Sequence, residues 1–424
     1  MHTTAGESVQ ACPDCGAEIR VHGDFTVWCA ACDWNVDPAP PEERPGRLAR
    51  AQRAQARRHG ERLLAELTAG GTLRARRDTA SVLAYALALA VHALTLAVLG
   101  AGVWLLVRGW GGFGMVAGGL LLVLAWVLRP RLPGLPDDVP VLHRADAPEL
   151  FALVDEVGAA VGTRGVDAIA VDRSINASVL SYGIGARRLL TLGLPLWEIL
   201  SPRERIALLG HELGHYSNGD TRHGRVIGTA YRSLLTWEYF FHPSPEPTLL
   251  ALVINAVYAV PRWILLGLLL LLDRLTLRAA QRSEYLADRL AARAGSTEAT
   301  VELLDRLLVS ESAEITLMRE ANGSALRGPR TRGDDDRADG LWDRLAADMN
   351  SVPEHEHERQ RRAGIRRGHS VDSTHPPTLL RRTALLIGPP LPPAITCDTG
   401  REQRIAAELT GVRRTVARRI LRGR

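Results

Sequence analysis

Two clusters of residues in this chain have the types and spacing for metal chemistry. The first is "GHELGHYSNGD", in which His211 and His215 stand four apart with Glu212 between them. On a helix, residues four apart share a face, so two imidazoles can aim at one metal ion while the intervening carboxylate reaches a water on it as general base. The second is "CPDCGAEIRVHGDFTVWCAAC", which supplies Cys12, Cys15, Cys29 and Cys32 as two CxxC pairs. That spacing suits a zinc ribbon in which four thiolates close a tetrahedron and leave no position for substrate. A pair of disulfides is the alternative, and a reducing compartment argues against it. The first cluster is therefore expected to be catalytic and the second structural, with one Zn2+ in each.

A helix must carry the first cluster. "SPRERIALLGHELGHYS" begins with Ser201 as N-cap, Pro202 at the first helical position and Glu204 completing a capping box. A third ligand is offered downstream by "SEYLAD", where Glu284 and Asp288 fall on one face of another expected helix. Glu284 would complete a two-His, one-Glu site, and Asp288 would accept a hydrogen bond from a ligand histidine and fix its tautomer.

Hydropathy then divides the chain. Ser81 to Val107 and Gly109 to Leu128 contain no Asp, Glu or Arg. Each is near the ~20 apolar residues needed to cross a bilayer as a helix. They read as a transmembrane hairpin over 80–129, after a zinc ribbon at 1–37 and a basic linker or helix at 38–79. Arginines lie thickly before the first span and follow the second at Arg129 and Arg131, which by the positive-inside rule places the ribbon and the later chain in the cytoplasm. Further on, Arg225–Phe241 and Thr248–Leu272 are apolar runs broken by a few charges, with Pro261 as an expected kink. They form a membrane-associated hairpin at about 225–272, because ligands on either side of it must meet.

The remaining composition adds limits. The 424 residues hold 52 basic side chains, all arginine, against 47 acidic ones. A modest positive charge beside long apolar runs suits a membrane surface, and no nucleic-acid-binding signature is present. The charged stretches "RTRGDDDRADG" and "PEHEHERQRRAGIRRGHS" read as solvated surface or mobile loop, His355 and His357 included. After a Pro-rich segment, the tail of 386–424 is expected to be a basic amphipathic helix with Ile405, Leu409, Val412, Val416 and Ile420 in one stripe. It would dock on the domain or lie on anionic lipid.

With these motifs together, the chain resembles the M48 family of zinc metallopeptidases, the membrane-bound HtpX-like and CAAX-prenyl-protease-like enzymes. The resemblance covers about residues 140–385. "HELGHYSNGD" is similar to the family's HExxH with a following Asp, here Asp220, and "EYLAD" to its ExxxD. "SINAS" resembles an Asn-Ala segment, here Asn176 and Ala177, in a strand that can pair with extended substrate. "DSTHPPTLLRR" resembles a late His-Pro motif, here His375 and Pro376 followed by Arg381 and Arg382. The resemblance implies a mainly α fold with a small β-sheet, a zincin-like (gluzincin) metallopeptidase domain at 130–385. It also implies a zinc metalloendopeptidase in which Glu212 is the base, His375 helps stabilise the transition state, and Asn176 and Ala177 hold substrate. Unfolded or membrane polypeptides are the expected substrates and the cell membrane the expected location, multi-pass. The ribbon lies outside the family's pattern. Two other readings are a non-catalytic membrane scaffold that binds through the ribbon, and a peptidase that processes prenylated proteins.

Overall fold

The computed structural model describes residues 8–23, 25–38, 47–70, 78–110, 112–218, 220–245, 248–326, 334–367 and 376–423. Its first unit is the ribbon, where strands β1 (Ser8–Ala11) and β2 (Glu18–Val21) pair antiparallel. Helix α1 (Arg47–Thr68) follows, then the apolar helices α2 (Thr79–Arg108) and α3 (Phe113–Leu128). Asp78 caps α2 by accepting a bond from Ser81 N at 2.8 Å.

Helix α3 is shorter than its uncharged run. With 16 residues it is about 24 Å long, below the ~30 Å hydrocarbon thickness. The cause is a glycine turn: a Cβ on Gly109 would stand 2.6 Å from the Gly114 Cα, so the chain reverses there instead of continuing as helix.

A mixed sheet comes next. Strand β3 (Val141–Leu142) leads into α4 (Pro148–Ala160), then β4 (Ala168–Asp172), β5 (Ala177–Tyr182) and β6 (Arg187–Gly193). The order is β3-β4-β6-β5, with β4 and β6 parallel and the other pairs antiparallel. Strand β5 is thus an edge, with one side of its backbone unpaired in the sheet.

Helices α5 (Leu194–Ile199), α6 (Pro202–Ser217) and α7 (Asp220–Phe240) follow. Helix α8 (Leu249–Gly295) then runs 47 residues without interruption. Glu284 thus lies on a different helix from His211 and His215, as expected, and that helix is continuous with the apolar segment Thr248–Leu272. Pro261 lies inside α8, and the helix continues through it into the segment that bears Glu284 and Asp288. The remaining helices are α9 (Thr297–Leu308), α10 (Ser310–Ala325), α11 (Asp334–Asp339), α12 (Leu341–Asn350), α13 (Glu354–Arg367), α14 (Thr378–Leu386) and α15 (Thr399–Leu421).

Two of these lie in the charged stretches expected to be solvated surface or mobile loop, and only the second departs from that expectation. Asp334–Asp339 and Glu354–Arg367 are helical, and α13 is not fully solvated. Its Glu356 and Arg359 are buried and paired, at 2.6 and 2.7 Å, and Arg359 Nη1 donates to Val36 O of the ribbon at 2.9 Å. Trp28, fully buried, stacks on His355 with ring centroids 4.8 Å apart. The ribbon is therefore seated on α13. As a buried pair satisfied by a neighbour, Glu356 and Arg359 look like surface charges in sequence alone.

The main core joins α4, the sheet, α5, α6 and α12, and α15 closes it. Ile405, Leu409, Val412, Val416 and Ile420 all enter that core, so the amphipathic tail docks on the domain. A second core, of Ala84, Ala88, Val91, Ala230, Leu234, Trp237, Leu265, Leu269 and Leu272, joins α2, α7 and α8. Outside it, large apolar side chains such as Leu96, Leu120, Leu250, Val257 and Trp263 are exposed. Helices α2 and α8 are long and apolar enough to cross a membrane.

Candidate metal centre and active site

Helix α6 starts as its sequence dictates. Ser201 N donates to Glu204 Oε2 at 2.6 Å and Glu204 N to Ser201 Oγ at 3.4 Å, closing the capping box. This fixes the helix phase, and with it the face that carries His211 and His215.

Glycines bring that face to α8. A Cβ on Gly210 would lie 3.0 Å from Ala291 Cα, and one on Gly214 would lie 3.2 Å from Ala287 Cα. On the facing side, a Cβ on Gly295 would meet Ala207 N at 2.8 Å. With glycine and alanine at the closest points of the crossing, and Leu290 packed beside Gly214, the two backbones approach closely enough for short side chains to share one centre. Each ligand histidine directly follows one of these glycines.

Three donors converge there. His211 Nε2 lies 3.5 Å from Glu284 Oε2, and His215 Nε2 lies 3.6 Å from Glu284 Oε1. The two imidazoles are perpendicular, with centroids 5.0 Å apart. A tetrahedral zinc with bonds of about 2.0–2.1 Å has donors roughly 3.3–3.4 Å apart, close to these separations. Two imidazole nitrogens and a carboxylate are also a donor set that zinc favours in catalytic sites. The residues fit the ion.

The outer contacts select the nitrogens. His211 Nδ1 is 3.0 Å from Asp288 Oδ1, so it donates its proton there and leaves Nε2 as the metal-facing lone pair. His215 Nδ1 is 3.2 Å from Ser283 Oγ, which turns its Nε2 the same way. Asp288 is held in turn by Arg381, whose Nε and Nη2 donate to its two oxygens at 2.8 and 2.6 Å. Burial pushes the Asp288 carboxyl up, but the Arg381 charge and hydrogen bonds more than reverse this and hold it below the usual carboxylate range. Arg381 Nη1 also comes within 3.4 Å of Glu284 Oε2. Sequence reasoning placed Arg381 in a motif but did not pair it with Asp288; its signal was one arginine of an Arg-Arg pair, some 93 residues from its partner.

A cavity of about 1020 Å³ opens over the centre. Its walls include His211, Glu212, His215 and Glu284 together with Asn176 to Ser181. The edge strand β5 and the metal centre thus line one cavity. Tyr216 OH donates to Leu180 O at 2.7 Å, tying the strand to the helix that carries the ligands. Asn176 O accepts from Gly193 N at 2.9 Å, and a Cβ on Gly193 would fall 2.4 Å from that oxygen, so only glycine allows the strand to begin there. Arg225 and Arg232, charges that looked misplaced in an apolar run, also line the cavity.

Not every expected residue can be placed. His375 lies outside the described residues. Asp220 opens α7, and its side chain lies outside them too.

In the ribbon, Cys12 Sγ and Cys32 Sγ are 3.7 Å apart and Cys15 Sγ and Cys29 Sγ 3.6 Å apart. A disulfide would bring two sulfurs to about 2.05 Å, whereas zinc with bonds of about 2.3 Å sets thiolates about 3.8 Å apart. The four thiols converge within 4.8 Å of one another. They fit a closed four-thiolate metal site and not a pair of disulfides.

Comparison with known families matches residues 146–386, more than half of the chain, to Peptidase family M48. The chain belongs to that family. M48 peptidases depend on zinc, so the coarse activity is that of a metallopeptidase, a hydrolase acting on peptide bonds. The match begins just before α4 and ends with α14, enclosing both ligand helices and Arg381 but neither the ribbon nor α2 and α3. Searches of curated proteins and of solved structures returned no match.

Proposed function

We propose that this M48 chain is a membrane-embedded zinc endopeptidase that cleaves extended segments of unfolded or membrane proteins. One observation carries the reading: the His211, His215 and Glu284 centre, with Glu212 beside it, lines a single cavity together with the edge strand β5. An edge strand adds an extended peptide by backbone pairing, and a folded domain cannot present one.

Roles follow from positions. His211, His215 and Glu284 hold the metal, with Asp288 and Arg381 fixing the His211 tautomer. When bound, zinc lowers the pKa of its water toward ~7 and polarises the scissile carbonyl. Glu212, beside the ligands, would be the group to take a proton from the attacking water and pass it to the leaving amine. Asn176 and Ala177 lead the substrate backbone onto β5. His375 is assigned to transition-state stabilisation by family resemblance. Cys12, Cys15, Cys29 and Cys32 hold a second, structural zinc.

Helices α2, α3 and the hairpin of α7 with the first half of α8 form the membrane part, with the ribbon and peptidase unit on the cytoplasmic side. Within the hairpin, Arg262 Nε donates to Glu238 Oε1 at 2.7 Å, and such pairing lowers the cost of a charge at membrane depth. The large cavity also suits a prenylated peptide, the second reading. The test is cleavage of an unfolded model protein beside a prenylated peptide, by wild type and by Glu212→Gln in lipid nanodiscs. Turnover of the prenylated peptide alone would replace the first reading with the second, and no turnover of either would leave a scaffold.

A further inference from the structure

Helix α1 lies across α8 where the apolar run of α8 gives way to charge. Gln281 Nε2 donates to Ala56 O at 2.9 Å and Tyr285 OH to Gly60 O at 3.3 Å. Leu63 and Leu67 pack on Tyr285 beside these bonds. The two helices are therefore fixed side by side, and between them is a second cavity of about 510 Å³.

Its lining is cationic. Arg58, His59 and Arg62 come from α1, Arg274 and Arg278 from α8, and among the described residues no carboxylate lines it. Among the described residues, none of these four arginines forms an ion pair. The acids nearby stand outside the lining: Asp78 caps α2 and acts on Arg278 and Arg282 through space, Glu66 acts likewise on His59, and Glu61 faces Arg57. Four guanidinium groups turned toward one space repel each other unless an anion enters.

Two further observations point to a ligand. His59 Nε2, in the lining, is buried without a hydrogen-bond partner, a costly state for a polar atom. Burial, and then the charges of Arg278, Arg282 and Arg62, push the His59 imidazole below its ordinary pKa, so the local field already disfavours one more cation. The position matters as well. Leu272 ends the apolar run of α8, Asp273 and Arg274 follow it, and the uncharged run of α2 begins at Ser81, next to Asp78. If the helices cross as proposed above, on which this inference rests, the cavity lies at headgroup depth on the cytoplasmic side.

We propose that this cavity binds the phosphate of an anionic phospholipid, clamped between α1 and α8. Guanidinium forks match phosphate oxygens in pairs, and basic pockets beside membrane helices select anionic headgroups from zwitterionic ones. The bound headgroup would brace the helix that, six residues beyond Arg278, carries Glu284.

The experiment uses the full chain in nanodiscs of phosphatidylcholine, with and without a minor fraction of phosphatidylglycerol. Retained lipid is read by native mass spectrometry and the unfolding midpoint by calorimetry. Wild type should retain phosphatidylglycerol and unfold at a higher temperature with it. Arg274→Gln with Arg278→Gln should weaken retention about 30-fold, since each near-surface arginine contributes roughly fivefold. Arg289→Gln with Arg293→Gln removes the same charge further along α8, where both side chains are exposed, and should retain lipid as wild type does. Equal loss in this control would reduce the effect to general surface attraction and overturn the site. So would full retention by the first double variant. A third arm adds inorganic phosphate to phosphatidylcholine discs; the full midpoint rise from phosphate alone would assign the cavity to a free anion and not a lipid. Recovery of the chain without any lipid belt would instead sink the membrane reading, whatever the headgroup.

Discussion

Arg381 and Asp288, 93 residues apart in sequence, form a fully buried two-pronged ion pair directly behind the ligand His211. The same guanidinium approaches Glu284, so one arginine on α14 steadies two of the side chains on which the metal centre depends. Arg381→Leu should therefore leave the Asp288 charge stranded, at a cost of about 3–5 kcal/mol. Metal affinity should fall on the order of 10- to 100-fold, as for other partners of ligand histidines. Equilibrium dialysis against zinc measures this, and an unchanged affinity would remove Arg381 from the site.

The same pair sets a pH dependence. The folded Asp288 carboxyl is held below its unfolded value of about 3.9. Its stabilisation is therefore fully present above that value and is lost as pH falls through the lower, folded one. Wild type should keep this contribution when the unfolding midpoint is followed from pH 7 down to about pH 4. The Arg381→Leu variant, in which burial is no longer opposed, should lose stability as pH rises across the same range.

Glu212→Gln should keep the catalytic metal and lose turnover by several orders of magnitude, because an amide cannot accept the proton of water and base and metal act as a unit. Metal analysis beside a cleavage assay decides it. Activity near that of wild type would place the active site elsewhere.

Gly210→Val should separate α6 from α8, since even a Cβ at this position meets Ala291 Cα at 3.0 Å. Overpacking of this kind costs about 1–3 kcal/mol, and the ligands on the two helices would part with it. The expected result is a lower unfolding midpoint together with reduced zinc occupancy. Full occupancy would show that the crossing tolerates a larger residue.

Wild type should bind two zinc ions per chain. Cys12→Ser with Cys15→Ser should remove one while cleavage of a small unfolded substrate continues. Arg362 also bonds Ala30 O and Asp33 of the ribbon, so the loss should expose α13 to amide exchange. One metal in fully loaded wild type would contradict the ribbon assignment.

Much of the centre was legible because its determinants are local. The capping box, the four-residue spacing of His211 and His215, and the Glu284–Asp288 pair each follow from helical periodicity over one or two turns. What escaped is set by distant partners. Nothing near Pro261 announces that α8 continues through it, because the packing of Leu265, Leu269 and Leu272 on α2 and α7 supports the helix from outside. The burial of Glu356 and Arg359 depends on Val36, more than 300 residues earlier. Sequence also hid Ser283, which is buried against His215.

Helix α8 is about 70 Å of unbroken rise, from Leu249 to the glycine that meets Ala207. An unbroken helix transmits rotation as well as position. Each residue inserted between Arg262 and Gln281 would turn Glu284 by about 100° relative to the Glu238 pairing below it, and a single insertion would swing the third ligand away from both histidines. The distance between the apolar half of this rod and the ligand histidines is thereby quantised: evolution can lengthen it only in steps near seven residues, two full turns, if the Glu284 carboxylate is to return to the same bearing.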